Sequence, residues 1–400
     1  MAKNIIIGQS GGPTAVINSS LAGVYKAARS LGADKVYGMK YGIEGLLKEE
    51  LLELNVLLDD RMSIELLKRT PSSYLGSCRF KLPDPDVDST PFVKLFTLFD
   101  KYDICAVFYI GGNDSMDTIA KLSRYGQQVG SSVRFIGVPK TIDNDLCLTD
   151  HTPGFGSAAK YVTATVQEII RDSSVYSIDS VTIIEIMGRH AGWLTASTCV
   201  LRANDEIAPH LIYLPESDFS AERFLEDVRA ERAKHKAVIV AVSEGIELED
   251  EGARSGVTDN FGHKYLSGVG KALEQLVREQ IGCKVRSIEL NVMQRCSSHI
   301  CSKTDIDESE QIGSEAVKCA MAGESGVTMI FRRISDKPYV VTIESADTAL
   351  MANQEKFFPA KWITAEGNQV SDEAIKYFLP LIQGEVNIAM KNGMPVHFKM

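Results

Sequence analysis

The sequence lacks the cysteine and histidine spacings of a zinc site. Its eight cysteines include no CxxC pair, since even the closest two, Cys296 and Cys301, are too far apart for that pattern. Its seven histidines form no HxH or HxxxH pair. Scattered cysteines in a long chain are typical of free thiols, so we expect neither a disulfide framework nor a histidine metal centre.

Long apolar runs are also missing. No run reaches the roughly 18 residues that a membrane helix needs, and the opening MAKNIIIGQSGG turns to glycine too soon for a signal peptide. The sequence therefore predicts a cytoplasmic protein that has no membrane partner.

Basic residues are fewer than acidic ones: the chain has 43 Lys and Arg, 53 Asp and Glu, and a net charge of -10. Binding to a phosphate backbone relies on a basic surface, so we expect no nucleic-acid partner. A small phosphate ligand remains compatible with this charge because it needs only a local cluster of Lys and Arg.

Two common nucleotide motifs are absent. Gly8, Gly11 and Gly12 lack the GxGxxG spacing of a dinucleotide site, and SGVGKAL at 267–273 lacks both the earlier glycine and the Ser or Thr of a P-loop.

What the sequence does contain is an alternation of short apolar runs with longer amphipathic stretches, in a chain long enough for two domains. The pattern predicts strands at 5–7, 106–110, 133–138, 181–186, 238–242 and 285–290, and helices at 15–30, 224–233, 264–281 and 309–322. We therefore expect an α/β fold with two doubly wound, mostly parallel-sheet lobes and the active site in the crevice between them.

Four polar loops follow or lie between the predicted strands. They are GQSGGPTAVIN (8–18), GSCRF (76–80), GGNDS (111–115) and PKTIDND (139–145). The carboxyl ends of parallel strands meet at one edge of a sheet, so these loops could converge on one crevice. A tight turn is the alternative interpretation of any single glycine-rich loop.

The GGNDS loop combines two features with opposite effects on phosphate binding. Gly111 and Gly112 would let the backbone approach a phosphate, but Asp114 beside a polyanion costs roughly 1 to 4 kcal/mol at about 4 Å. Either no phosphate binds here, or Asp114 excludes the wrong phosphate compound.

The PKTIDND loop carries the densest chemistry. Asp143 and Asp145 flank Asn144, and Lys140 lies three residues before Asp143. Such a set could supply the base, a metal ligand and the counter-charge of a phosphoryl transfer. The alternative is a solvated loop whose aspartates cap turns.

The second half of the chain adds groups suited to a sugar phosphate. Arg189 lies in a turn after a predicted strand, Glu244 follows another, and Arg286 and Arg295 lie in VRSIELNVMQR. Arginines bind phosphate bidentately and a carboxylate accepts sugar hydroxyls, although each residue alone is more often in a surface ion pair.

Taken in order, these motifs resemble the phosphofructokinase family and, within it, the pyrophosphate-dependent branch. The resemblance runs from the first strand to about residue 320 through GGPTAVIN, GSCRF, GGNDS, PKTIDND, TPGFGSA, EIMGRHAGWLTA, SEG and VRSIELNVMQR. It implies reversible, Mg²⁺-dependent phosphoryl transfer from pyrophosphate to the C1 hydroxyl of fructose 6-phosphate, as in glycolysis and gluconeogenesis. The products would be fructose 1,6-bisphosphate and phosphate.

The resemblance also implies roles for individual residues. Asp143 would be the general base, with Lys140 beside it and Thr141 and Ile142 in contact with the substrate. Met187, Gly188, Arg189 and Glu244 would bind the sugar, Arg286 and Arg295 its 6-phosphate, and Gly12 and Arg79 the donor. Residues 1–139 with about 296–345 would form the donor lobe, and 140–295 with about 346–400 the sugar-phosphate lobe.

Donor choice would depend on Asp114 and Lys140, because the ATP-using branch has glycine at both positions. The Asp114 carboxylate would take the place of the α-phosphate of ATP, and the Lys140 ammonium would compensate the charge of the shorter donor. An ATP-dependent enzyme and a non-catalytic, sugar-phosphate-binding regulatory subunit are the alternatives.

The sequence departs from the family pattern at three positions. Asn113 replaces an aspartate near Mg²⁺, which leaves Asn113 and Asp145 as the candidate metal residues together with donor oxygens and water. Ser180 and Val292 replace an arginine and a histidine of the ATP branch. In the expected homodimer or homotetramer, the neighbouring subunit's contribution would therefore rest mainly on Arg286.

Overall fold

A computed structural model describes residues 3–248 and 268–399. Its strands are β1 (Asn4–Gln9), β2 (Val36–Met39), β3 (Leu51–Glu53), β4 (Ile104–Gly111), β5 (Arg134–Pro139), β6 (Ser180–Ile186), β7 (Leu211–Tyr213), β8 (Ala237–Ser243), β9 (Lys284–Glu289), β10 (Val327–Asp336), β11 (Tyr339–Asp347), β12 (Met390–Lys391) and β13 (Met394–Pro395). The six strands predicted from the sequence are confirmed as β1, β4, β5, β6, β8 and β9.

The helices follow the predicted alternation with the strands. They are α1 (Ile17–Ser30), α2 (Gly42–Leu47), α3 (Leu54–Leu57), α4 (Arg61–Lys68), α5 (Thr90–Lys101), α6 (Asn113–Gln128), α7 (Phe155–Ser173), α8 (Trp193–Ser197), α9 (Ala221–Arg232), α10 (Val269–Gln280), α11 (Lys303–Met321), α12 (Thr348–Met351) and α13 (Asp372–Phe378). Residues 264–267, the start of one predicted helix, lie outside the described residues. Short 3₁₀ turns include Asn291–Arg295.

The strands form two main sheets. In the described part of the chain, the larger sheet has the order β11-β10-β5-β4-β1-β2-β3 and the smaller one β7-β8-β6-β9. Pairing is parallel throughout the smaller sheet and along β2-β1-β4-β5-β10, whereas β2 with β3 and β10 with β11 are antiparallel. The expected parallel-dominated α/β architecture is confirmed, with antiparallel additions at both edges of the larger sheet.

The larger sheet is covered on both faces, as a parallel sheet requires. On one face, Phe108 and Ile110 of β4 pack in a core with α1 and α11. On the other face, Val107 packs with Phe99 of α5 and Ile119 of α6. The buried positions of α6 recur every three or four residues, which gives the helix one apolar face toward the sheet.

The topology brings the polar loops together. The neighbouring parallel strands β1, β4 and β5 end at Gln9, Gly111 and Pro139, so their following loops leave from one edge of the larger sheet. Strands β8, β6 and β9 are likewise neighbours, and their loops leave from one edge of the smaller sheet. The predicted lobe boundaries stay a prediction. The strands within residues 4–139 and 327–347 belong to the larger sheet, and those within residues 180–289 belong to the smaller one.

All eight cysteines are free thiols, as predicted. Among the described helices, none is both long and apolar enough to cross a membrane.

Candidate active site

A cavity of about 720 Å³ is lined by loops from both sheets. It brings together nearly all residues that the sequence singled out, and only Gly188 and Arg286 of that set do not line it. The predicted residues that line it are Gly12, Arg79, Asn113, Asp114, Lys140, Thr141, Ile142, Asp143, Asp145, Met187, Arg189, Glu244 and Arg295.

Lys140 lies on the side of the cavity that is formed by loops of the larger sheet. Its backbone N–H donates to Gly111 O at 2.9 Å, and its ammonium donates to Gly12 O at 2.6 Å, which joins the loops after β1, β4 and β5. Gly12 leaves little room, because a Cβ there would lie 3.1 Å from Nη1 of Arg295. Burial lowers the pKa of Lys140 to about 8, against the opposing charge of Asp143.

Asp143 and Asp145 form a pair of carboxylates in the loop after β5. The Thr141 hydroxyl donates to Asp143 Oδ2 at 3.4 Å and accepts from the Asp143 backbone N–H at 3.1 Å. Burial raises the pKa of Asp143, and Arg189 opposes that rise. Burial and the charge of Asp143 raise the pKa of Asp145 to about 7. A carboxylate made more basic in this way is suited to accept a proton near neutral pH.

Asn113 and Asp114 form the first turn of α6 and line the same cavity as the two aspartates. The Asn113 side-chain N–H₂ donates to Gln354 O at 2.8 Å. Its Oδ1 is buried and finds no hydrogen-bond partner among residues 3–248 and 268–399. An acceptor left without a partner, on a residue that lines a cavity with several carboxylates, suits a hard cation, whose preferred ligands are oxygens.

The protein ligands for a cation are nevertheless few. No group of three or more His, Cys, Asp or Glu in the described residues has the arrangement of a metal site. Asn113 and Asp145 therefore fit Mg²⁺ in the way this ion is usually bound, through one or two protein groups with substrate oxygens and water.

The opposite side of the cavity is built by the turns after β6 and β8. Gly188 has φ +132°, and a Cβ there would lie 2.7 Å from Ala191 O, so the turn needs glycine. The Gly188 N–H donates to Glu244 Oε1 at 3.4 Å, and the Met187 N–H donates to Gln294 Oε1 at 3.2 Å. Arg189 Nε is buried and unpaired within the described residues, which leaves a donor for a ligand.

The cavity is less acidic than the chain as a whole. Lys and Arg side chains and Asp and Glu side chains line it in equal number: Arg79, Lys81, Lys140, Arg189 and Arg295 against Asp114, Asp143, Asp145, Glu244 and Glu355. Burial raises the pKa of Glu244 to about 7, as it does for Asp145. Five Lys and Arg side chains gathered in one cavity, in a chain with a net charge of -10, provide the local cluster that an anionic ligand needs.

Arg286 lies away from this cavity, on β9 at the edge of the smaller sheet. Its side chain is 40% exposed and its Nη1 lies 3.3 Å from Asp172 Oδ2. Arg286 therefore cannot be assigned to the 6-phosphate in the cavity of its own chain.

Several lining residues were missed by the sequence prediction. Lys81 and His190 are neighbours of predicted residues and could have been found by extending the motifs. The segment 353–357, which supplies Asn353, Gln354, Glu355 and Phe357, carries no glycine-rich turn or carboxylate pair that would have singled it out.

The chain is similar to known proteins over nearly its whole length. The phosphofructokinase family model matches residues 4–320. The pyrophosphate–fructose 6-phosphate 1-phosphotransferases of Halomonas elongata and Xanthomonas campestris are 39% and 38% identical, covering 98% and 99% of this chain and 94% and 96% of theirs. The crystal structure of a pyrophosphate-dependent phosphofructokinase from Marinobacter aquaeolei is 37% identical with a TM-score of 0.88, covering 99% of this chain and 96% of that one.

Proposed function

The chain belongs to the phosphofructokinase family, and we propose that it transfers a phosphoryl group reversibly from pyrophosphate to the C1 hydroxyl of fructose 6-phosphate. The products are fructose 1,6-bisphosphate and phosphate. The similar proteins named for this reaction match almost the whole chain, which supports the same activity here.

One observation carries the choice of donor: Asp114 and Lys140 line the same cavity as the candidate base Asp143. The Asp114 carboxylate lies in the first turn of α6, where the helix N-terminus would otherwise attract a phosphate. It opposes the additional phosphate of a nucleotide, while the Lys140 ammonium supplies charge to a compact donor.

In the proposed reaction, Asp143 accepts the proton of the C1 hydroxyl as that oxygen attacks the nearer phosphorus of pyrophosphate. The new bond joins the C1 oxygen to phosphorus, and the bridging P–O bond breaks with its electron pair going to the departing phosphate. Lys140 stabilises the charge that develops on this phosphate, where a fixed cation contributes most.

The sugar phosphate is held by groups from the smaller sheet. Arg189 and the Met187–Gly188 turn bind the sugar, Glu244 accepts its hydroxyls, and Arg295 binds its 6-phosphate. Thr141 and Ile142 contact the reacting end, and Gly12 and Arg79 contact the donor. The division into a donor lobe and a sugar-phosphate lobe, with the boundaries given above, belongs to the same proposal.

A homodimer or homotetramer completes the site in this proposal. Arg286 lies on an edge strand, outside its own cavity, so it would bind the 6-phosphate in a neighbouring subunit. The cytoplasm is the proposed location, since the charged substrates do not cross a lipid bilayer unaided.

Mg²⁺ is the proposed cofactor, held by Asn113 and Asp145. When bound, it neutralises phosphate charge and orients the donor oxygens. The unpaired Asn113 Oδ1 is the observation that supports this assignment.

A coupled assay tests the proposal directly. The purified chain is given fructose 6-phosphate and Mg²⁺ with pyrophosphate, ATP or GTP in parallel. Turnover is expected with pyrophosphate as the donor, and not with ATP or GTP. Preference for ATP would support the ATP-dependent alternative, and sugar-phosphate binding without turnover would support a regulatory subunit.

A further inference from the structure

Lys356 makes an unusual set of contacts with the loop that carries the two candidate catalytic aspartates. Its ammonium donates to Thr149 O at 3.1 Å, to Asp150 O at 2.9 Å and to Asn144 Oδ1 at 3.3 Å. It also lies 5.0 Å from the ring centroid of Trp193. One side chain thus joins both ends of the stretch from 144 to 150.

The main chain of the same residue holds the loop at a further point. The Lys356 N–H donates to Asp145 O at 2.7 Å, and its carbonyl accepts from Trp193 Nε1 at 2.9 Å. The preceding residue, Glu355, forms an isolated antiparallel bridge with Leu146. Segment 354–356 therefore runs along the backbone that presents Asp145 to the cavity.

The same segment also fixes Asn113. The carbonyl of Gln354 accepts the Asn113 side-chain N–H₂ at 2.8 Å, which sets where the unpaired Oδ1 of that amide lies. Asn113 and Asp145, which come from different strand ends, are thus held by main-chain groups only two residues apart.

Keeping an ammonium here carries a free-energy cost. Burial lowers the pKa of Lys356 to about 8, although Asp150 and Asp145 oppose the shift. A nearby lysine offers a contrast, because Lys361 is exposed and lies 5.8 Å from the centroid of Trp362.

We propose that Lys356 is a positioning residue that fixes Asp145 and, through the main chain of Gln354, Asn113, so that both can bind the cation with pyrophosphate. This inference rests on the proposed function. It assigns no direct contact between Lys356 and the substrates.

The test compares Lys356→Met with the matched control Lys361→Met. The first substitution removes an ammonium bound to three oxygens, and the second removes one that faces solvent. The binding probe is Mn²⁺ with pyrophosphate, followed by the electron paramagnetic resonance signal of free Mn²⁺ in the absence of sugar phosphate. Steady-state kinetics with Mg²⁺ are measured in parallel.

Loss of a group that orients metal ligands is expected to weaken Mn²⁺ binding and lower kcat by about 10- to 100-fold. The KM for fructose 6-phosphate should change by less than about threefold, because the Lys356 ammonium hydrogen-bonds to residues 144, 149 and 150 and not to the residues proposed to bind the sugar. Lys361→Met should match wild type in every measurement.

An unchanged Mn²⁺ affinity and kcat in folded Lys356→Met would overturn the proposal and leave Lys356 a structural role alone. If that variant does not fold, Lys356→Gln takes its place; its shorter amide can still donate but carries no charge, so the same measurements should change in the same direction by a smaller factor. Failure of both to fold would also reject a specific positioning role. Wild-type protein that is inactive with pyrophosphate would instead refute the proposed function.

Discussion

Asp114 can be explained in two ways at the scale of a single residue. A carboxylate in the first turn of α6 interacts favourably with the helix dipole, by about 0.3 to 1 kcal/mol. The same position lines the cavity and can exclude a nucleotide. The first explanation predicts an effect on stability alone, and the second predicts an effect on donor choice.

Asp114→Gly is expected to make ATP use detectable and to impair the reaction with pyrophosphate, since it removes both bulk and a like charge. The decisive quantity is the ratio of kcat/KM for ATP to that for pyrophosphate. Asp114→Asn is the control that keeps the size and removes the charge. A ratio that stays flat in Asp114→Gly would contradict the exclusion argument.

The lowered pKa of Lys140 predicts how activity depends on pH. Its pKa of about 8 means that the free enzyme loses this ammonium above pH 8. The pH dependence of kcat/KM reports ionisations of the free enzyme. Above pH 8, kcat/KM for pyrophosphate should therefore decrease, and the decrease should approach about tenfold per pH unit. Lys140→Arg, whose charge persists, should lack this limb of the profile. An identical limb in both proteins would assign it to another group.

The expected loss of activity above pH 8 does not arise because deprotonation of Lys140 unfolds the protein. The ordinary lysine pKa of 10.5 lies above the folded value, so the unfolded chain binds more protons between about pH 8 and 10.5. The contribution of Lys140 to stability therefore rises with pH in that window, while activity is expected to fall.

At the scale of elements, Asp305 of α11 connects two parts of the fold. Its Oδ1 accepts from Gly154 N at 2.9 Å and its Oδ2 from Ser157 N at 2.8 Å, at the start of α7. These N–H groups have no helical partner, so the carboxylate satisfies donors that burial would otherwise leave unpaired.

Asp305→Ala is expected to lower the free energy of unfolding by about 1 to 3 kcal/mol for each donor left unpaired. Asp307→Ala on the same helix is the matched control, because its carboxylate is 43% exposed and forms a surface ion pair with Lys303. That variant should lie within about 0.5 kcal/mol of wild type. Equal losses in urea unfolding would show that Asp305 is not a specific helix cap.

The elements also show what the sequence could reveal about the fold. Strands such as β4 are buried over nearly their whole length and give a continuous apolar run. Strand β11 was missed because it is an edge strand whose burial alternates, and β7 because it has only three residues. The antiparallel β10-β11 addition was not predicted, although the first half of β10 is a buried apolar run of the kind that marked the predicted strands.

The part of the candidate site that could be predicted consists of loops next to strands that were themselves predicted. Loops that directly follow predicted strands, such as PKTIDND, must lie at the carboxyl edge of a sheet. Lys356 reaches Asn144 across 212 positions in the chain, and its partners are largely carbonyl groups that every residue carries. Contacts of that kind leave no local signal in the sequence.

At the scale of the whole molecule, Arg286 bears on the number of subunits. It lies on an edge strand, and it does not line the cavity that contains Asp143 and Glu244. If it serves a neighbouring subunit, each complete site takes Asp143 from one chain and Arg286 from another. In a two-fold symmetric dimer, both sites are then shared by both chains.

Mixing two defective variants tests this arrangement. Asp143→Asn should lose about 10² to 10⁴ in rate, and Arg286→Ala should mainly raise the KM for the sugar phosphate. Assays run well below the wild-type KM make both variants nearly inactive. After dissociation and random reassociation in equal amounts, a mixed dimer has one site with both defects and one site with neither. About one quarter of wild-type activity should therefore return.

The matched control replaces Arg286→Ala with Glu244→Gln in the same mixture. Glu244 lines the same cavity as Asp143, so every site in a mixed dimer carries one of these two defects. Activity should then remain the average of the two separate variants. Recovery in both mixtures would point to artefactual refolding, and recovery in neither would return Arg286 to its surface ion pair with Asp172. Only recovery with Arg286→Ala alone supports a site completed by a second copy of the chain.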